Sequence, residues 1–172
     1  GEGVDTLAFT RLPAVDLMSF HLYPNAWGKD LPWSNDWITR HVREADRIGK
    51  PVLWGEFGWL DKATRNTVYK TWTDLFDRAG GDGWLYWILS GIQDDGTLYP
   101  DYDGFTVYCP SPVCRTLTNA AEELTGPQRS RPPGSSGRAV GGMEPAGAPQ
   151  PLGFSACPDP MGAAPTSCAR YG

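Results

Sequence analysis

Three short runs of apolar residues, at 15–20, 52–55 and 84–89, have the length and continuity of strands buried on both faces. Amphipathic segments separate them. From Asp36 onward, Ile38, His41, Val42, Ala45 and Ile48 recur at helical spacing, with Ser34, Asn35 or Asp36 as the capping oxygen and Gly49 before Pro51 as the stop. A second helix is predicted over 63–79, with Val68, Trp72, Leu75, Phe76 and Ala79 on one face and Gly80-Gly81 at its end. A third is predicted over 114–124 from Leu117, Ala121 and Leu124. The stretch 25–35, rich in Pro, Gly and Trp, reads as a loop, and so does 90–112. Strands alternating with amphipathic helices imply a parallel sheet covered by helices, an α/β fold. A closed eight-stranded barrel needs about 250 residues, so these units amount to less than half of one.

The pattern stops near residue 126. All 8 Trp lie between Trp27 and Trp87, whereas the stretch from Pro127 to Gly172 holds only Phe154 and Tyr171 as aromatics and is dense in Pro, Gly and Ala. Residues 1–126 are therefore read as the folded domain, and 127–172 as a disordered tail or linker that buries too little to fold alone. The net charge of the whole chain is −5, and the folded part is the acidic one, which excludes a phosphate-binding surface and hence nucleic acid as a partner. No apolar run is long enough to span a bilayer, so no membrane partner is expected. The chain opens on Gly without a leader, and reads as processed or as a fragment of something longer. Four Cys, paired in sequence as Cys109 with Cys114 and Cys157 with Cys168, together with only two His, do not resemble a zinc site. Local disulfides in a secreted, extracellular protein are the expectation, with no metal.

Polar residues that could act collect where the apolar runs end. Glu56 follows the second run and is flanked by Gly55 and by Phe57-Gly58-Trp59; a carboxylate there must be hydrogen-bonded or used. His21 and Tyr23 alternate after the first run and so project to one side. Trp87 closes the third run, where an indole can pack under the C–H face of a pyranose. The C-terminal ends of parallel strands are where α/β enzymes hold their chemistry. The 90–112 loop carries Asp94, Asp95, Asp101 and Asp103 without calcium-loop spacing and is read as solvated. Asp94, Asp95, Tyr99 and Tyr102 are alternative candidates for lining a cleft.

The motifs Phe20-His-Leu-Tyr-Pro24, Gly49-Lys-Pro-Val-Leu-Trp-Gly-Glu-Phe-Gly58 and Gly83-Trp-Leu-Tyr-Trp-Ile-Leu89, in this order, resemble the last strands of glycoside hydrolase family 5, and most of all its secreted endo-β-1,4-mannanases. The resemblance covers residues 1 to about 125. It implies the C-terminal part of a (β/α)8 TIM barrel, strands six to eight, in a retaining hydrolase of β-1,4-linked polysaccharide that uses two carboxylates and no cofactor. Mannan is the implied partner, with β-glucan second. Carried over by position, the resemblance makes Glu56 the nucleophile, Tyr23 a hydrogen-bond donor to its carboxylate, His21 a group of the catalytic subsite and Trp87 the sugar platform. Trp59 and Trp27 are further candidates for substrate contact. The family's acid/base Glu follows an Asn, and no Asn-Glu pair occurs in this sequence. The expectation is thus a chain that lacks the acid/base half; Glu2 and the Asp94/Asp95 pair are weak substitutes. The alternatives are a non-catalytic carbohydrate-binding remnant and an endo-β-1,4-glucanase.

Overall fold

The structure, a computed structural model, describes residues 4–126. Expectations about the 127–172 tail, the Cys157–Cys168 pair and Glu2 lie outside the described residues.

The sheet is built on β1 (Met18–Leu22), β2 (Val52–Phe57) and β3 (Gly83–Trp84), parallel and in that order. The first strand starts three residues later than the apolar run does, which puts His21 inside it rather than after it. Met18, Phe20 and Leu22 point to one face with Val52, Trp54 and Phe57, all buried, while Ser19 and His21 point to the other. The helices α3 (Leu31–Ile48) and α4 (Arg65–Ala79) cover the buried face, and α5 (Pro112–Thr125) packs against α4. Ile38, Val42 and Ala45 from α3 and Val68, Tyr69, Trp72 and Phe76 from α4 complete the core. This is a partial α/β arrangement with helices on one face of three strands.

Several predicted boundaries are corrected, mostly for one reason. The helix α3 begins at Leu31, not Asp36, because Asp30 caps it by accepting a 2.9 Å bond from the Trp33 backbone N–H. Pro32 sits in the first turn, where its missing N–H would have had no helical partner anyway. Pro32 falls within the loop predicted over 25–35, which the structure replaces by this first helical turn. The same holds for α5, which starts at Pro112 behind Ser111 as cap. Two short helices, α1 (Thr6–Thr10) and α2 (Pro24–Trp27), had no predicted counterpart.

The third apolar run does not form one strand. Only Gly83–Trp84 pairs regularly; the Leu85 and Trp87 backbone N–H groups still donate to Trp54 O and Phe57 O, both at 2.9 Å. The chain then leaves the sheet, and β4 (Leu89–Ser90), at the end of the third apolar run, pairs in parallel with β5 (Val107–Tyr108), which lies within the predicted 90–112 loop. Cys109 and Cys114 are joined by a disulfide with a Cα separation of 5.5 Å, tying β5 to the first turn of α5. No helix among the described residues is long and apolar enough to cross a membrane.

Candidate active site

An irregularity in the sheet places Glu56. Along β1 and β2, Met18, Ser19 and Phe20 face Val52, Leu53 and Trp54 in step, but His21 faces Glu56. Gly55 is the extra residue of a bulge, and it reverses the alternation. Without it, Glu56 would follow Val52 and Trp54 into the core. With it, Phe57 takes the core position, fully buried, and the Glu56 side chain emerges beside His21, about one-third exposed.

The two glycines around Glu56 are there for space. A Cβ on Gly55 would lie 2.9 Å from both His21 Nε2 and Ser19 Oγ. A Cβ on Gly58 would lie 2.5 Å from the Phe105 ring and 3.0 Å from Tyr23 Cε1. The Gly55 distances and the one to Phe105 are shorter than real Cβ contacts, and the one to Tyr23 is tight, so side chains at these points would push His21, Phe105 and Tyr23 out of their places around Glu56. Gly58→Ala is therefore expected to displace Phe105 and Tyr23 and to cost about 1–3 kcal/mol of stability, the usual range for overpacking, measurable by urea denaturation.

The Tyr23 hydroxyl donates to Glu56 Oε2 at 2.7 Å, and His21 Nδ1 lies 3.5 Å from the same oxygen. Glu56 Oε1 carries no hydrogen bond among the described residues. Burial, reinforced by the hydrogen bond to the Glu56 carboxylate and by its negative charge, raises the Tyr23 hydroxyl far above the usual phenol range. It therefore remains a proton donor through neutral and mildly alkaline pH. His21 is held from its backbone, whose carbonyl accepts from the Trp37 indole N–H at 3.0 Å.

Trp87 lies on the neighbouring segment: its backbone N–H bonds the carbonyl of Phe57, the residue after Glu56, and the residue is 38% exposed. Trp27 lies on the other side, edge-on to the Tyr23 ring at 6.5 Å and 40% exposed. Trp59 does not join them. Its ring meets the buried Trp72 edge-on at 5.9 Å, and its indole N–H donates to Thr64. Trp59, a candidate for substrate contact, is partly buried and packs against the core. In the acidic loop, Asp101 pairs with Lys62 and Asp95 holds Thr97, while Asp103 accepts from the Trp87 indole. Among the described residues no cluster of His, Cys, Asp or Glu suits a metal ion.

No family model matches the chain. It is 36% identical over 113 residues to a probable mannan endo-1,4-β-mannosidase A of Aspergillus flavus, covering 62% of this chain and 27% of that protein. With the mannan endo-1,4-β-mannosidase A of Hypocrea jecorina it shares 32% over 103 residues, 58% of this chain and 24% of that one. Among solved structures, the endo-β-1,4-mannanase of Thermotoga petrophila superposes with a TM-score of 0.67 at 35% identity, over 75% of this chain and 30% of that one. In sequence and in structure the chain resembles the endo-mannanases of glycoside hydrolase family 5. A third neighbour, the endo-1,4-β-mannanase of Rhizomucor miehei, gives 0.63 at 28% identity, over 71% and 33%.

This mannanase-like chain spans about a quarter of the length of the curated relatives it matches. Its structural neighbours are TIM barrels, and its own described residues form a partial α/β unit. Sequence reading missed two site residues. Phe105 packs edge-on against Tyr23 at 5.3 Å, and Asp103 bonds Trp87. Neither carried a signal, because both belong to a loop whose spacing is set only by what it folds onto.

Proposed function

We propose that this chain carries the nucleophile side of a retaining hydrolase of β-1,4-mannan. The observation that carries the reading is the Tyr23–Glu56–His21 group: one carboxylate oxygen engaged by the Tyr23 hydroxyl and the other open. In this reading the open oxygen of Glu56 attacks the anomeric carbon and forms a glycosyl ester as the glycosidic C–O bond breaks. Tyr23 holds the carboxylate so that its free oxygen faces the sugar. Trp87 offers an indole face to the ring at the point of cleavage. A general acid must protonate the leaving oxygen and later activate the water that hydrolyses the ester, with the two carboxyl groups about 5–5.5 Å apart. Asp103 does not suit that task, since both its oxygens already accept hydrogen bonds, from the Trp87 indole and the Phe105 backbone. We assign the acid to barrel strands that the described residues do not contain.

The exposed indoles of Trp27 and Trp87 favour a second reading, a remnant that holds glycan without cutting it. The disulfide suits an oxidising compartment, and we place the protein outside the cell. Two measurements test the proposal: retention of residues 1–172 on insoluble mannan against cellulose, and release of reducing ends by a closed barrel that contains them. Retention on mannan that disappears with Trp87→Ala is the expected result. Stronger retention on cellulose would replace mannan by glucan, and no retention on either would end the carbohydrate reading. Release of reducing ends belongs to a completed barrel, and its absence there would leave the remnant.

A further inference from the structure

Arg65 is buried, 3% exposed, in the first turn of α4, and every partner of its guanidinium is a backbone carbonyl. It donates to Trp59 O at 2.7 Å and Leu60 O at 3.2 Å in the loop after Glu56, and to Thr106 O at 3.0 Å and Gly104 O in the loop after Trp87. One permanently charged group with five N–H donors thus fastens two loops that leave neighbouring strands. The second loop is secured again from outside, where Asp101 accepts from the Thr106 backbone N–H at 3.0 Å and pairs with Lys62 at 2.5 Å.

Between these anchors lie the two residues that touch the site. Asp103 Oδ2 accepts from Trp87 Nε1 at 2.5 Å, while Oδ1 accepts from the Phe105 N–H at 3.0 Å. The Phe105 ring presses edge-on against Tyr23 and fills the space Gly58 leaves. We infer that the Asp103–Gly104–Phe105 turn, fastened by Arg65, is the positioning element of the site, fixing the indole of Trp87 through Asp103 and the ring of Tyr23 through Phe105.

The inference rests on the proposed role of Trp87 as a sugar platform and says what sets that platform. An indole held only at its Cα can rotate about two side-chain bonds, and a mobile face binds less well than a fixed one. A charge-assisted bond to the indole N–H, in the ring plane, removes that freedom and leaves the π-face open. Asp103 and Phe105 are positioning residues: each acts on a group that would meet the sugar.

The test uses residues 1–172 labelled with ¹⁵N in the indole groups, with the Trp87 resonance identified by its loss in Trp87→Phe. Asp103→Leu removes the acceptor; Asp103→Asn keeps a neutral one and almost the same shape. The expected result is an upfield shift of the Trp87 indole proton in Asp103→Leu, largely recovered in Asp103→Asn, with the other seven indole signals in place. Mannohexaose titrated into the same samples should bind about tenfold more weakly to Asp103→Leu, with most of the loss recovered in Asp103→Asn. Arg65→Met should move the Trp87 signal as Asp103→Leu does. An unmoved Trp87 resonance in Asp103→Leu, or in Asp103→Ala should the Leu variant not fold, overturns the inference. So does mannohexaose affinity equal to that of the native chain in a variant whose resonance has moved. Failure of the native chain to bind mannohexaose would count against the mannan reading, while the indole shifts would still decide whether Asp103 and Arg65 fix Trp87.

Discussion

Glu56→Gln, in a closed barrel where residues 4–126 replace the matching part of the Thermotoga petrophila mannanase, should lower mannan hydrolysis by roughly 10⁴-fold or more, the scale on which loss of a covalent nucleophile is felt. Gln fills the same volume and its amide oxygen can still accept from Tyr23, so the bulge at Gly55 and the core beneath it stay in place. What is lost is the anionic oxygen that forms the glycosyl ester. Residues 1–172 by themselves should give no measurable turnover of mannan. The nucleophile is present, but an unprotonated sugar alkoxide is a poor leaving group, and general acid help is typically worth 10²–10⁴-fold. Reducing-end assays on both proteins, with matched circular dichroism, check the pair of outcomes. Turnover by residues 1–172 that disappears with Glu56→Gln would show that a carboxylate within this chain completes the site.

Trp72→Ala should destabilise the folded part by about 3–5 kcal/mol, the range for deleting a buried large aromatic side chain. Trp72 is fully buried in α4 and meets Trp54, Phe57, Trp59 and Tyr69 within ring-centroid distances of 5.9 to 6.3 Å. It therefore supports the chain on either side of Glu56, Trp54 before it and Phe57 and Trp59 after it. Its indole N–H has no hydrogen-bond partner among the described residues. Trp72→Phe removes that unpaired donor along with some volume, and should cost clearly less than the alanine variant. Urea midpoints of the two variants give the comparison. A Phe variant as unstable as the Ala variant would mean that the shape of the indole, not its area, holds this end of the core.

Much of the architecture was legible because it follows from periodicity. The spacing of Val68, Trp72 and Phe76 implied a helix with one buried face, and α4 buries those residues. The runs at 15–20 and 52–55 implied strands, and β1 and β2 pair in parallel within three residues of those bounds. Errors fell where a residue has two meanings. Proline ends a helix from inside but is welcome in its first turn, so Pro32 and Pro112 were read as loop when they open α3 and α5. The run at 84–89 is apolar throughout, yet Leu85, Trp87 and Leu89 are exposed. Composition alone could not tell that this segment has a single covered face.

The sequence by itself determined that Glu56, His21, Tyr23 and Trp87 lie at the ends of apolar runs, and which family those runs resemble. These are properties of order along the chain, and order survives in one dimension. Only the tertiary structure decided which way each side chain points. Glu56 reaches Tyr23 because a bulge at Gly55 shifts the alternation by one residue, and no count along a single strand reveals a bulge, since it exists only relative to a partner strand. Trp59 packs onto Trp72, and Asp103 holds Trp87 at a sequence separation of 16, for the same reason. A loop residue's neighbours are chosen by the surface it lands on, and here that surface is fixed by the buried guanidinium of Arg65 and the space left at Gly58.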